Sequence, residues 1–279
     1  MILVELIKQI RRPRAWIVFG VLAGVAAVVT LIIGLTSAGT PERIGNWGSV
    51  VPDSSGFTMG LISLNSLLLF LIPLAVAIFA GESVAGEAGW GTLRYLLARP
   101  VSRERVLTSK AVVAAVLSLA AVVVVVVTGV LSGLLAFGWH PLAVLDLQHS
   151  TAFSSGQSTL TPLAAIGHLS LAVVVVTGTM LSTFAFAFLC STLTDRAFSA
   201  VAGGVLFGLV SRSLDNIPGL HTLTPWLPLT DKGTDVWNGI FFQPTDWSGL
   251  PHLALVQGAY AVLLLLPAFV VFRRRDILS

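Results

Sequence analysis

At 279 residues, the chain is 55% hydrophobic and only 10% charged, against about 25% charged in a typical soluble domain. So few charges do not cover a water-soluble surface, and the net charge of +3 comes from basic residues beside apolar runs, which argues against a nucleic-acid-binding face. The single cysteine, Cys190, excludes an internal disulfide, and residues 1–279 read as one membrane domain with no room for a separate soluble one.

A first membrane span is expected over residues 15–35, behind a basic flank of Lys8, Arg11, Arg12 and Arg14. A cleaved signal peptide fits less well, because its apolar core would be about 7–15 residues and no small-x-small site follows here. The second span is placed at 61–80 with Pro73 inside it, a residue that neighbouring helices or water can accommodate. The third covers 111–137. Its β-branched run from Val122 to Val127 would suit a strand in water, but within more than twenty apolar residues it reads as a helix, because lipid satisfies no open strand edge. The fourth covers 164–190 and the sixth 253–272. The fifth, 197–210, spans only about 21 Å of helix, so it is either short or continues past Arg212 and Asp215. Behind it Pro218, Pro225 and Pro228 interrupt an apolar stretch, so 212–251 reads as a broken external segment.

Six spans put both termini, the 82–110 loop and the 191–196 loop on one side. That side holds thirteen of the sixteen Lys and Arg residues, and only Arg43, Arg212 and Lys232 lie on the other. Basic residues accumulate in the cytoplasm, so the expected fold is all-α and polytopic, with six transmembrane helices and both termini inside. His140, His149, His168, His221 and His252 all fall outside or at that interface.

The 82–110 loop is the most informative segment. Leu93, Leu96 and Leu97 share one face of a short helix expected over 92–98, which Gly89 and Gly91 precede and Pro100 stops. Such a helix suits a partner's groove or, equally, the lipid headgroup layer. The run Glu82, Glu87, Gly91-Thr92-Leu93, Leu96-Leu97, Arg99-Pro100-Val101-Ser102-Arg103 and Lys110 resembles the permease subunits of type-2 ATP-binding-cassette (ABC-2) exporters. Glu5-Leu6 to Arg11-Arg12-Pro13 is similar to that family's interfacial N-terminal helix, here 1–14. The resemblance implies an ABC-2-type (type V exporter-like) transmembrane domain. It implies that Gly91, Thr92, Leu93, Arg94, Tyr95, Leu96 and Leu97 form a coupling helix seated on an ATPase, with Glu82, Glu87, Arg99 and Arg103 anchoring the loop. It further implies two ATPase subunits carrying the ATP and Mg, a second permease copy or paralogue, and a bacterial plasma-membrane location. Pairing of permeases would use Gly20 and Gly24 of the first span with Gly204 and Gly208 of the fifth. Gly129-x-x-x-Gly133 in the third ranks below them.

The chain itself has no G-x-x-x-x-G-K-[ST], H-E-x-x-H or G-x-S-x-G run, so no cofactor and no catalytic residue is expected on it. Spans 1–4 and 6 carry no ionisable residue in their middles, which disfavours a proton relay. Arg212 and Asp215, one helix turn apart, lie towards the external end, where an arginine can snorkel to water. Ser63, Asn65 and Ser66 are candidates for a substrate path, or for bonds to a neighbouring helix. Trp226, Trp237 and Trp247 mark the outer interface. The expected function is a permease subunit in contact with membrane lipids and not with nucleic acid. A non-transporting anchoring or assembly subunit is the alternative, and a lipid-modifying enzyme lacks its motifs.

Overall fold

The computed structural model describes residues 1–36, 42–44, 48–50, 55–91, 102–151, 154–215, 217, 219, 222–229, 236–241, 245 and 247–274. Within them run helices α1 (Ile2–Ile10), α2 (Pro13–Thr36), α3 (Gly56–Leu68), α4 (Leu71–Gly89), α5 (Arg103–Phe137), α6 (Pro162–Thr179), α7 (Leu181–Leu193), α8 (Ala197–Asp215) and α9 (Leu250–Arg274). Six of these, α2, α4, α5, α6, α8 and α9, are long and apolar enough to cross a membrane. The helix starts follow local chemistry. Ser55 Oγ accepts Phe57 N–H at the head of α3, and Thr161 Oγ1 accepts Ala164 N–H at the head of α6, where Pro162 has no N–H to leave unpaired.

The 35-residue α5 is the spine of the bundle. At about 52 Å it exceeds a bilayer core of about 30 Å. It packs on α1, α2, α3, α4, α6 and α9, while α4 also packs on α7 and α8. At one end, called here the termini end, Arg103 Nη1 donates to Arg273 O (3.2 Å) and Arg273 pairs with Glu104 (3.1 Å). The head of α5, which follows the 92–101 segment, and the last turn of α9 therefore meet there. At the opposite end, the 36–55 and 138–161 connections build an antiparallel sheet, β1 (Glu42–Ile44), β2 (Gly48–Val50), β3 (Leu142–Thr151) and β4 (Ser154–Leu160), in the order β1-β2-β3-β4. Gly48 faces Asp146 and Leu142 faces Leu160 in the register. This sheet is absent from the all-helical expectation.

The second span also differs from expectation. It is not one helix over 61–80 with Pro73 inside. It runs as α3 and α4 with a break at Leu69 and Phe70, and Pro73 falls in the first turn of α4, where its missing N–H leaves nothing unsatisfied. Arg212 Nη1, from α8, donates to Leu69 O at the break (3.0 Å). Arg212 thus reaches inward to a helix C-terminus, where a cation is favoured. The side chain of Asp215 lies outside the described residues. Hydrogen bonds from charged donors contribute about 1.5–3 kcal/mol, so Arg212→Leu is expected to destabilise the chain by about that much, with Arg212→Lys recovering part of it. Reversible unfolding in mixed micelles measures both.

The fourth span is likewise broken, at Met180, into α6 and α7. Buried Gln257 of α9 bridges the break to the segment after α8: its Oε1 accepts Ser182 N–H (2.9 Å) and its Nε2 donates to Pro228 O (2.6 Å). Among its described residues, that segment contains the 3-10 turns Thr224–Trp226 and Val236–Phe241. His252 donates to Pro225 O (2.8 Å) and His168 to Ile240 O (2.7 Å), which ties the turns to α9 and α6. The fifth span continues past Arg212 as one helix to Asp215.

Candidate functional site

The densest group of charges among the described residues lies at the termini end, where α1, the α1–α2 turn, α4 and α5 converge. α1 is amphipathic. Glu5 and Lys8, one turn apart, face the bundle, while Ile2, Leu3, Val4, Ile7 and Ile10 stay exposed. Trp16 Nε1–H donates to Ile10 O (2.9 Å), fixing the corner between α1 and α2. Glu87 sits in the last turn of α4 and Lys110 in the second turn of α5, at the two roots of the segment that joins those helices.

Both side chains are sealed: Glu87 and Lys110 are each 1% exposed, and Lys110 Nζ donates to Glu87 Oε2 at 2.6 Å. Lys110 also donates to Glu5 Oε1 (3.1 Å). The other oxygen of Glu87 is approached by Lys8 and by Arg12 Nη2 (3.6 Å), which are 40% and 30% exposed. Among the described residues, three cations therefore face two carboxylates. Nearby, Arg14 pairs with the half-buried Glu82 (3.2 Å). From the other side, Val84 and Ala85 N–H both donate to Ser191 Oγ of α7 (3.1 and 2.9 Å), so the end of α4 is held from two directions.

The site residues expected from sequence are distributed unevenly around this cluster. Glu82 and Glu87 belong to it. Arg103 does not; it binds the last turn of α9. Gly91 follows α4 with φ +68°, a left-handed conformation that favours glycine, and its N–H donates to Ala88 O (3.0 Å). Thr92, Leu93, Arg94, Tyr95, Leu96, Leu97 and Arg99 lie outside the described residues.

The glycine pairs also separate. A Cβ on Gly20 or Gly24 would meet nothing within 4 Å, whereas one on Gly204 would lie 2.6 Å from Ala187 Cβ and one on Gly208 3.0 Å from Leu229 Cδ1. The α8 pair thus makes its close contacts within this chain. Gly129 and Gly133, ranked lowest from sequence, make the tightest crossing, against Met59, Ser63 and Gly56 of α3. Ser63 is fully buried at that crossing, Asn65 is half-buried and Ser66 is exposed, so the three do not share one surroundings. Sequence reasoning assigned Glu5 to an interfacial helix and Lys8 and Arg12 to a basic flank without bringing them to this site, and it passed over Gln257. The signal for Glu5 was available: an acidic residue on the polar face of an otherwise basic, apolar N-terminal helix.

Residues 47–278 match the family described as "Protein of unknown function (DUF2705)". The chain belongs to the DUF2705 family. Glu82, Glu87 and Lys110 lie within the part that matches DUF2705, and Glu5, Lys8, Arg12 and Arg14 precede it. The chain is also similar to the uncharacterized protein YhcI of Bacillus subtilis (strain 168), 25% identical over 238 residues, which cover 81% of this chain and 72% of that one.

Proposed function

We propose that this chain is the transmembrane permease subunit of an ATP-binding-cassette exporter of the ABC-2 type, lying in the bacterial plasma membrane with both termini in the cytoplasm. The resemblance of residues 82–110 suggests the reading, and the buried Glu87–Lys110 bridge carries it. A segment that passes force from a partner into a bundle needs a stiff root. A flexible loop would absorb the push in its own backbone, whereas a bridge between its two ends makes α4 and α5 move together. Through Glu5 and Lys8 the same bridge engages α1, so a displacement of residues 92–101 reaches three helices at once.

In this reading ATP and Mg reside on two separate ATPase subunits, a second permease copy completes the pathway, and the apolar span faces contact lipid. Purification of the chain from its native membrane in mild detergent tests it. The wild type is expected to carry the ATPase in a one-to-one ratio with the permease. Leu93→Ala combined with Leu96→Ala is expected to release the ATPase while the permease still elutes as a folded species. A wild-type preparation free of any nucleotide-hydrolysing subunit contradicts the proposal.

A further inference from the structure

We infer that the corner between α1 and α2 holds the headgroup of one anionic phospholipid, gripped by Lys8, Arg11 and Arg12. The argument begins with charge. Lys110 is closed in between Glu5 and Glu87 and offers nothing to a ligand. Lys8 and Arg12 both turn to the same atom, Glu87 Oε1. One cation is enough to neutralise what Lys110 leaves of the two carboxylates, so among the described residues one is in surplus. Both keep an open side, being 40% and 30% exposed. Arg11, next in the turn, is exposed as well. Arg14 differs, because Glu82 already pairs with it.

Position supplies the second argument. The exposed side of α1 presents Ile2, Leu3, Val4, Ile7 and Ile10, and α2 continues this apolar surface with Trp16 and Ile17. A tryptophan whose indole N–H is bonded to backbone while its ring is exposed suits the boundary between hydrocarbon and headgroups. The surplus cation therefore lies at headgroup depth, directly above a surface that takes an acyl chain. The head of α2, at Pro13, adds the positive end of a 24-residue helix.

The complementary ligand carries one net negative charge on a phosphate and has acyl chains attached. Phosphatidylglycerol fits that description. Phosphatidylcholine brings its own cation and leaves the surplus uncancelled, and free phosphate makes no use of the apolar face. The inference is independent of the transport reading, since it requires only the α1–α2 corner at a lipid interface.

The test uses the full chain in nanodiscs of phosphatidylcholine with a minor fraction of phosphatidylglycerol, followed by native mass spectrometry of the lipids retained on release. One phosphatidylglycerol is expected to stay in preference to phosphatidylcholine. Arg11→Gln and Arg12→Gln are each expected to lower that retention roughly fivefold, which corresponds to about 1 kcal/mol per basic residue at a membrane surface. Both variants should fold normally, because Lys8 still faces Glu87. Arg105→Gln, at the same end of the bundle, should leave retention unchanged, and added inorganic phosphate should displace nothing. Equal retention of the two lipids, an equal loss in Arg105→Gln, or displacement by free phosphate would overturn the inference.

Discussion

Replacing Lys110 with methionine is expected to lower the stability of the folded chain by about 3–5 kcal/mol, the usual effect of removing one partner from a buried ion pair. The residue is 1% exposed and holds two carboxylates, one from α1 and one from α4. Without it, Glu5 and Glu87 face each other in a largely buried site, and Lys8 and Arg12 approach only the Glu87 side. Replacing the three buried members and leaving the partly exposed Lys8 and Arg12 to water is a different matter, because well-packed apolar residues in place of a buried ionic group are often neutral or stabilising. The triple variant Glu5→Leu, Glu87→Met, Lys110→Met should thus regain most of the lost stability. The proposed function adds that it should remain uncoupled, because a smooth apolar contact does not fix the register of α1, α4 and α5 as directional ion pairs do. Unfolding in mixed micelles reads the stability of the three proteins. ATP turnover of the reconstituted complex reads the coupling.

Gly133→Ala is the second large effect, expected at about 3 kcal/mol, the upper end of the usual range for overpacking. A Cβ at Gly133 would lie 2.2 Å from Gly56 O and 2.7 Å from Met59 Cβ. Across the same crossing, a Cβ at Gly56 would lie 2.6 Å from Leu134 N. The nearest obstacle is the backbone oxygen of Gly56, and Met59 Cβ is fixed to the backbone of α3, so no rotamer change clears the space and α3 must separate from α5. Separation would also strain the head of α3, where Gly56 N–H donates to Gly138 O (3.1 Å) and Ser55 Oγ donates to His140 O (2.6 Å). Gly20→Ala is the control. Its Cβ enters open space, so within the single chain the change is neutral or slightly favourable, as expected for alanine in a helix. If Gly20 contacts a second copy, a larger substitution there would alter self-association and leave unfolding unchanged.

The apolar runs made the number of spans legible, since a helix long enough to cross a bilayer needs an uninterrupted stretch that few soluble folds contain. The breaks within them were not legible. Leu69 and Phe70 carry no turn chemistry, and the partner that stabilises the break, Arg212, is 143 residues further on. Pro73 signalled an interruption nearby but not its place, because a proline is equally at home in the first turn of a new helix. The break at Met180 depends on Gln257, 75 residues from Ser182. The sheet was hidden for a related reason: β1 and β2 are three residues each, and β2 finds its partner in a connection two helical spans away.

The candidate site was half legible. Glu87 and Lys110 flank the same segment, so their pairing follows from the span assignment. Their burial does not, because it depends on α1 folding over them as a cover. The glycine ranking addressed a different surface. The resemblance spoke of contacts between two copies, whereas Gly129 and Gly133 serve a crossing inside one chain.

The most direct test of the account is photo-crosslinking from residue 96, with a benzoylphenylalanine in place of Leu96, carried out in native membranes and read by mass spectrometry. The account predicts one dominant protein adduct, a nucleotide-hydrolysing ATPase captured from the cytoplasmic side. Adducts formed only with lipid, or with a protein on the exterior, would contradict it.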